Sequence, residues 1–539
     1  MATTDEILTT PARMRELDRA AIRDYLIPGL ILMENAAAGI AGYVLDRGRG
    51  LLGPERSVLV VCGKGSNGGD GFAVARKLHM GGCGVIVLVL AAREEIGGDA
   101  KTNLSICDRL GLNLIFATEA TVRDVLPFCL ARAELVVDAI FGTGFRGRPE
   151  GLYEIAIRAI NESNKKVVSV DAPSGLDGLT GIAAGVCIRA DVTLALGLKK
   201  IGLLSGPDAG LAGQIELIDI GIPAELTDGD DEKDIRLVTD GAVRALLPER
   251  RPDAHKGDFG KIMIVTGSPG MTGAGCLAAE AALTAGAGLV YLAVPGSLSQ
   301  IYETAVKEAI TLCAGSNVDR TISSESADAI AGFSGRMDAV AVGPGLSANQ
   351  DTLRAVRKLL AAVQKPLVID ADALNAVAGD VAVLSRLKAP AVLTPHEGEM
   401  ARLLDTAVAN VSRNRLALAR AFAAKWRVTL ILKGHRSVIA LPDGRAFINP
   451  TGNPGMATAG AGDALTGIVA AFLGAGMDAG DAAVAAAYLH GLSGDLAAKE
   501  LGERSVRASD IIRCLPAALS STAEHPAGSP ARGAFAPRL

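Results

Sequence analysis

Aromatic residues are scarce, at 3% of 539 residues with a single Trp, so a core has to be built from Ala, Val, Leu and Ile. Basic runs are absent: 54 Lys and Arg are scattered against 59 Asp and Glu, for a net charge of −5. That balance excludes a surface built to neutralise phosphate backbones, and with it nucleic acid as the main partner. None of the eight Cys, at positions 62, 83, 107, 129, 187, 276, 313 and 514, forms a CxxC pair. Many sit in apolar runs and read as reduced core thiols, the usage of a cytoplasmic protein. No stretch suits a membrane, since the longest uncharged one, Ala281–Tyr302, is interrupted by Gly286, Gly288, Pro295, Gly296 and Ser297, and the N-terminus has no signal-peptide core. Short-period repeats are also missing. What is present is a 49% hydrophobic chain with 64 Gly, which excludes disorder as a whole-chain state. At about 150 residues per domain the length allows roughly three or four domains, or two large α/β ones.

Short Val/Ile/Leu runs alternate with helix-length segments through the first half: Ser57–Cys62, Val85–Leu90, Glu134–Ile140, Lys166–Ala172 and Asp191–Leu196. Runs apolar on both faces and separated by helices predict a parallel sheet covered on both sides. Composition shifts at residues 227–240, TDGDDEKDIRLVTD, which reads as an acidic linker after a first domain over 1–226. The pattern restarts with Gly260–Ser268, Leu289–Val294, Asp338–Gly345, Pro366–Asn375, Ala391–Glu399 and Val428–Gly434, predicting a second parallel α/β domain over 241–519. A Pro-Asp-Gly-Arg turn within Lys433–Asn449 predicts a bordering hairpin. Ala-rich Gly462–Gly476 and Asp481–Lys499 read as closely packed helices, and residues 520–539, rich in Pro, Gly and Ser, as a disordered tail.

GKGSNGGDG at Gly63–Gly71 follows a predicted strand and opens a helix, where free N–H groups and the helix dipole favour a phosphate. It satisfies G-x-G-x-x-G, yet the ribose-binding acid expected about 20 residues on is missing, because the next strand ends in Ala91, Ala92 and Arg93. An ordinary dehydrogenase is thereby disfavoured. Asp138, Asp171 and Ser174 fall at further strand ends, where open parallel sheets bind ligands.

LMENAA at Leu32–Ala37, GKGSNGGDG, VDAIFGTGFRG and VDAPSGLD together resemble the NAD(P)H-hydrate epimerase family over roughly residues 9–223. The resemblance implies a Rossmann-like α/β/α sandwich that binds NADH or NADPH hydrated at the nicotinamide ring. Substrate contacts would come from Ser66, Asn67, Gly68, Gly69 and Asp70, from the loop Gly142, Thr143, Gly144, Phe145, Arg146, Gly147 and Arg148, and from Asp171. It also implies a potassium ion held by Asn67, Asp138 and Ser174. Inverting a carbon that bears both nitrogen and hydroxyl needs reversible loss and return of the oxygen with a positioned acid/base, a role that falls to Asp171.

In the second half, NPTGNPGMATAGAGDALTG at Asn449–Gly467 sets Gly460, Gly462 and Asp463 at the start of an apolar helix. Amides there can hold a transferring phosphoryl group while Asp463 accepts a hydroxyl proton. GAGD at a helix start resembles ribokinase-like small-molecule kinases. With HKGDFGK at His255–Lys261, TGSPGMTGAG, VGPGL, IDADALN, TPHEGE and LKGHRS in order, residues 236–515 resemble the ADP-dependent NAD(P)H-hydrate dehydratases. That resemblance implies substrate contacts from Ala274, Gly345, His396 and Asp463, and nucleotide contacts from Lys433, Gly434, His435, Arg436, Ser437 and Gly462. It implies Mg²⁺ and ADP as cofactors, with ADP ending as AMP and phosphate: phosphorylation turns a poor leaving group into a good one. Two departures stand out, Ala461 where the family has a hydroxyl residue and Ser347 where it has glycine. Two other readings stay open at this point, a small-molecule kinase fused to a nucleotide-sensing domain and a scaffold with an epimerase-like fold. Oligomeric state, a homo-oligomer included, is open too.

Overall fold

The computed structural model describes residues 7–47, 50–228 and 235–524. It divides into two units, residues 1–236 and 237–539.

The first unit holds seven strands: β1 Ser57–Cys62, β2 Gly84–Val89, β3 Asn113–Phe116, β4 Leu135–Ala139, β5 Lys166–Val170, β6 Val192–Leu196 and β7 Gln214–Ile218. Five of them come from the predicted runs, and two edge strands that the sequence reading did not give, β3 and β7, join them. All neighbouring pairs are parallel, in the order β3-β2-β1-β4-β5-β6-β7. Both faces of the central strands are buried, Val58 to Cys62 at 1% exposure or less, which is why they carry no polar alternation. The order reverses between β1 and β4, so their carboxyl ends open the crevice in which such sheets bind ligands. Three helices serve that crevice: α1 Pro11–Asp24, capped by the Thr10 hydroxyl, α2 Gly29–Gly42, and α3 Ser66–Met80 directly after β1. The β1–α3 turn needs glycine because a Cβ on Gly68 would stand 1.9 Å from the Gly63 carbonyl oxygen. A short parallel pair, Leu8–Thr9 with Lys199–Lys200, buries Lys200 beneath the same crevice.

The second unit holds ten strands: β8 Ile235–Leu237, β9 Lys261–Val265, β10 Leu289–Pro295, β11 Ile310–Ala314, β12 Ala339–Val342, β13 Leu367–Ile369, β14 Ala391–Leu393, β15 Thr429–Leu432, β16 Val438–Ala440 and β17 Ala446–Ile448. Their order is β8-β17-β16-β15-β14-β13-β12-β9-β10-β11. From β11 across to β15 every pair is parallel, whereas β16 is antiparallel to both its neighbours. The β16–β17 hairpin is the one that the Pro-Asp-Gly-Arg turn predicts, with Ile439 opposite Phe447. Four helices carry the site or its support: α4 Thr272–Thr284, α5 Glu397–Leu404, α6 Ala461–Gly474 and α7 Ala479–Leu501. α4 and α6 approach so closely that a Cβ on Gly467 would lie 2.0 Å from the Ala278 carbonyl oxygen, the small-residue packing that Ala-rich helices permit.

Two boundaries differ from the sequence reading. Within 227–240, Thr227 belongs to the helix Ala224–Asp228, Ile235–Leu237 is β8, and Asp240 starts a helix capped by Thr239. The alternating Ile235 and Leu237, followed by a Val238 that is 1% exposed, supply apolar surface that the acidic composition masks; residues 229–234 lie outside the described ones. At the other end the last helix runs over Ala508–Glu524, and the Thr522 carbonyl accepts a hydrogen bond from Arg244 Nε at 2.6 Å, so 520–524 are part of the folded unit. The rest of the predicted tail lies outside the described residues. All eight cysteines are free thiols, and among the described residues no helix is long and apolar enough to cross a membrane.

Candidate active sites

The crevice of the first unit contains a cavity of about 890 Å³, walled by α1, α2, the start of α3 and the loops after β4 and β5. Of the residues expected there, Ser66, Asn67, Asp70, Gly142, Thr143, Gly144, Phe145, Arg148 and Asp171 line it. Gly68 and Gly69 are buried behind the wall, and Arg146 and Gly147 are exposed on the loop outside the lining. Phe141 and Phe145 stack at 4.3 Å and Tyr153 tilts against Phe141 at 4.7 Å, an apolar platform suited to a flat ring.

Asp171 follows β5 with φ +66°, a left-handed conformation that costs a non-glycine residue about 1–3 kcal/mol and turns its carboxylate into the cavity. The carboxylate accepts from the Thr143 hydroxyl at 2.8 Å, the Thr143 amide at 3.2 Å, the Leu196 amide at 3.3 Å and the Lys200 ammonium. Burial would raise this carboxyl; the Lys200 charge and these donors outweigh it and hold Asp171 below the usual range. Asp70 lies on the other side of the balance, since burial and then the charges of Asp171 and Asp18 push it well up. Sequence reasoning missed both Lys200 and Asp18. Neither stands in a motif, and only the Leu8–Thr9 pairing and the placement of α1 bring them to the crevice.

Asp138 and Ser174 sit one layer behind, both fully buried. The Asp138 carboxylate accepts from Ser174 Oγ at 2.5 Å, Ser174 N at 2.9 Å, Ser169 Oγ at 2.8 Å and Ile140 N at 3.2 Å. Burial pushes its carboxyl up against the pull of those bonds, and no cationic side chain pairs with it among the described residues. An oxygen-only donor set, a buried carboxylate without a counter-charge and a neighbouring Asn67 amide fit a hard monovalent cation.

In the second unit Asp463 stands in the first turn of α6, whose N-cap Gly460 takes φ +87°. Burial, then Asp370 and other acidic neighbours working against Lys433, push the Asp463 carboxyl up to about 7. Lys433 donates to Asp370 at 2.9 Å and lies 3.9 Å from Glu399. Burial alone would lower this ammonium, but the two carboxylates keep it above its ordinary value. The fully buried Asp370 also accepts from the Thr466 hydroxyl at 2.7 Å, which ties β13 to α6. Lys433 thus reaches the start of α6, where a Cβ on Gly462 would lie 3.1 Å from its Nζ. Asp370 and Glu399 are site residues the sequence reading left unassigned, although they fall within its motifs IDADALN and TPHEGE.

His396 caps α5: its Nδ1 accepts from the Gly398 and Glu399 amides at 2.9 and 3.3 Å, so in the neutral ring Nε2 carries the hydrogen and remains exposed. Ala274 and Gly345 meet, since a Cβ on Gly345, at φ +60°, would lie 3.2 Å from that of Ala274 and 2.4 Å from the Met271 carbonyl oxygen. The remaining loop residues form a separate cluster behind Lys433. Arg415 donates to the His435 and Leu432 carbonyls, the Ser437 hydroxyl donates to the Gly434 carbonyl, and burial together with Arg436 and Arg415 lowers the His435 imidazole. Gly434 is needed there because a Cβ would meet the Arg415 guanidinium at 2.7 Å. Among the described residues no group of three metal-binding side chains converges.

Comparison with known proteins places both units in one family. Residues 29–202 match the family model of the YjeF-related protein N-terminus, and residues 262–517 that of the NAD(P)H-hydrate dehydratases. A bifunctional NAD(P)H-hydrate repair enzyme of Moorella thermoacetica is 45% identical over 517 residues, covering 96% of this chain and 97% of that one. The corresponding enzyme of Thermofilum pendens is 40% identical over 95% of this chain and 96% of its own. Among solved structures, the ADP/ATP-dependent NAD(P)H-hydrate dehydratase from Bacillus subtilis, co-crystallised with ATP and Mg²⁺, is 30% identical over 53% of this chain and 98% of that one, with a TM-score of 0.46. The full-length matches leave neither the sensor-kinase fusion nor the scaffold as the favoured reading, and the chain belongs to the family of bifunctional NAD(P)H-hydrate repair enzymes.

Proposed function

We propose that the first unit interconverts the R and S hydrates of NADH and NADPH, and that the second dehydrates the S epimer while ADP is converted to AMP and phosphate. The observation that carries this reading is Asp463, a carboxyl at about 7 in the first turn of α6 with the half-buried Lys433 ammonium beside it.

A carboxyl at that value is half ionised near neutrality and so is suited to take the proton of the ring hydroxyl as a phosphoryl group arrives. The amides of Gly460–Asp463 face that group at the positive end of the α6 dipole, and Lys433 adds a fixed positive charge. Once phosphorylated, the ring oxygen leaves with phosphate as the adjacent nitrogen lone pair forms a C=N⁺ bond, and loss of a proton from the neighbouring ring carbon to solvent then restores the dihydronicotinamide. When bound, magnesium would screen the nucleotide phosphates. His396, whose Nε2 lies 3.6 Å from Glu399 Oε1, and the close Ala274–Gly345 contact form the substrate wall, and the Lys433–Ser437 segment and Gly462 form the nucleotide side.

In the first unit the ring hydroxyl departs and returns to the opposite face of the same carbon. Asp171, held ionised by Lys200 and Thr143, accepts a proton from the returning water, and the Phe141–Phe145 platform supports the ring. Asn67, Asp138 and Ser174 would hold potassium, whose charge offsets the buried carboxylate. The test is to incubate the protein with both epimers of hydrated NADH, Mg²⁺, potassium and ADP and to follow reduced nicotinamide by its near-UV absorbance. Complete recovery, with AMP and phosphate formed in step, is the expected result. Recovery that slows sharply once one epimer is consumed removes the epimerase half of the proposal, and none at all removes both.

A further inference from the structure

Epimerisation by loss and return of an oxygen needs a proton donor as well as an acceptor, and Asp171 is committed to the ionised form by Lys200 and Thr143. Hydroxide is too poor a leaving group to depart unassisted. Within the described lining of the cavity one further carboxyl stands with an atom to spare. Asp18 enters from α1, whereas Asp171 enters from the end of β5. Asp18 Oδ1 is sealed from solvent, yet it makes no hydrogen bond to any described residue. A carboxyl kept only for structure in such a place would be capped by a donor. An orphaned oxygen on a ligand-sized cavity fits a group whose partner is the ligand.

We propose that Asp18 is the second catalytic residue of the epimerase, the acid that protonates the departing ring hydroxyl while Asp171 serves as the base for the water that returns. The proposal rests on the epimerase reading of the first unit. In one direction the C–O bond breaks with its electron pair going to oxygen, the Asp18 proton completes a water molecule, and the nitrogen lone pair closes a C=N⁺ bond. Water then adds to the opposite face, its extra proton passes to the Asp171 carboxylate, and the C=N⁺ electrons return to nitrogen. Asp171 then releases that proton to solvent and Asp18 takes one back, so each turnover ends with no net proton gained or lost, and the opposite epimer runs the same steps in reverse.

The electrostatics support this division. Burial pushes Asp18 up to about 6 and the Asp171 charge adds to that, partly opposed by Lys200, whereas Asp171 is held down. Two carboxyl groups in one cavity with values driven apart are the usual arrangement for an acid and a base. The charged groups that share the cavity with Asp18 are Asp70 from α3, Asp171, Lys200, Arg15 from its own helix, Asp99, and Lys64, Arg148 and Glu150 from the surrounding loops. Asp70, raised like Asp18, is the competing candidate for the acid. It is 8% exposed and no described residue donates to it either, but its oxygens are not sealed from solvent as Asp18 Oδ1 is.

The test compares the full-length wild type with Asp18→Asn and Asp18→Glu, using purified R hydrate of NADH and chiral separation of the two epimers. Hydrate binding is measured by calorimetry on the same preparations. Absence of epimerisation in the wild type would defeat the reading of the first unit itself. With the wild type active, Asp18→Asn is expected to lower kcat by roughly 10²–10⁴-fold, the range of general acid catalysis. Hydrate affinity should stay within about threefold, the alkaline limb of the pH–rate profile should disappear, and Asp18→Glu should recover part of the rate. Wild-type kcat in Asp18→Asn, or loss of rate that tracks loss of binding, would overturn the assignment.

Discussion

Asp463 and Lys200 are the side chains whose surroundings make the sharpest claims. The Asp463 carboxyl must be ionised to accept a proton, and with its value at about 7 the ionised share rises with pH through neutrality. Dehydration of S hydrate at saturating ADP should therefore rise between about pH 6 and 8, approaching tenfold per unit on the acid side, and level off above. Asp463→Asn should cost roughly 10²–10⁴-fold in that rate and leave epimerisation untouched; loss of both activities in a folded protein would break the assignment of one base to one site. Lys200 is 1% exposed and is the cation against Asp171. Lys200→Met would leave a buried carboxylate uncompensated, with an expected loss of about 3–5 kcal/mol in the first unfolding transition, read by calorimetry. In the wild type the folded state holds Asp171 below its unfolded value, so its contribution is present above the unfolded pKa and is lost as pH falls through the folded one. At this scale the sequence shows what carries a motif and conceals what does not. Asp138, Asp171 and Asp463 stand at strand ends or a helix start, where backbone geometry already marks them. Asp18 lies mid-helix in a polar stretch and Lys200 in an LKK triplet, and each becomes a site residue only through contacts far along the chain.

Strands and turns were the most legible level, because burial on both faces leaves an unbroken apolar run. SVLVVC, VIVLVL, ELVVDAI and their counterparts each overlap an observed strand. The linker and tail boundaries were less legible because average acidity or Pro/Gly content hides a few buried residues with a sheet or helix to join, such as Ile235 and Thr522. Glycine gives the element scale its tests. Gly68→Ala would drive a methyl group into the Gly63 carbonyl at 1.9 Å and displace the start of α3. An ångström of misplacement costs about 10²-fold, the loss expected in epimerisation, with dehydration as the internal control. Ser347 shows the reverse situation, a side chain at φ +74° where glycine would be unstrained. It receives one weak bond at 3.3 Å from the Asn349 amide. Ser347→Gly should stabilise the second unit by about 1 kcal/mol, seen as a rise of roughly 2–4 °C in its melting temperature.

The two units meet one chemical need. Hydration yields two epimers, a stereospecific dehydratase uses one, and the epimerase returns the other to it. Each unit carries its own acid–base residues: Asp171, Lys200 and Asp138 belong to the first, Asp463, Lys433 and Asp370 to the second. If the hydrate is a freely exchanging intermediate, a chain lacking one activity should be complemented by a chain lacking the other. Asp171→Asn alone should stop after consuming the S epimer and Asp463→Asn alone should form no reduced nicotinamide. An equimolar mixture of the two should recover the whole pool, at a second-phase rate that rises with the concentration of the Asp463→Asn chain. Full recovery by the wild type with little recovery by the mixture would instead mean that fusion transfers the epimer directly from one site to the other, so the phase that follows exhaustion of the S epimer distinguishes joint evolution for stoichiometry from joint evolution for transfer.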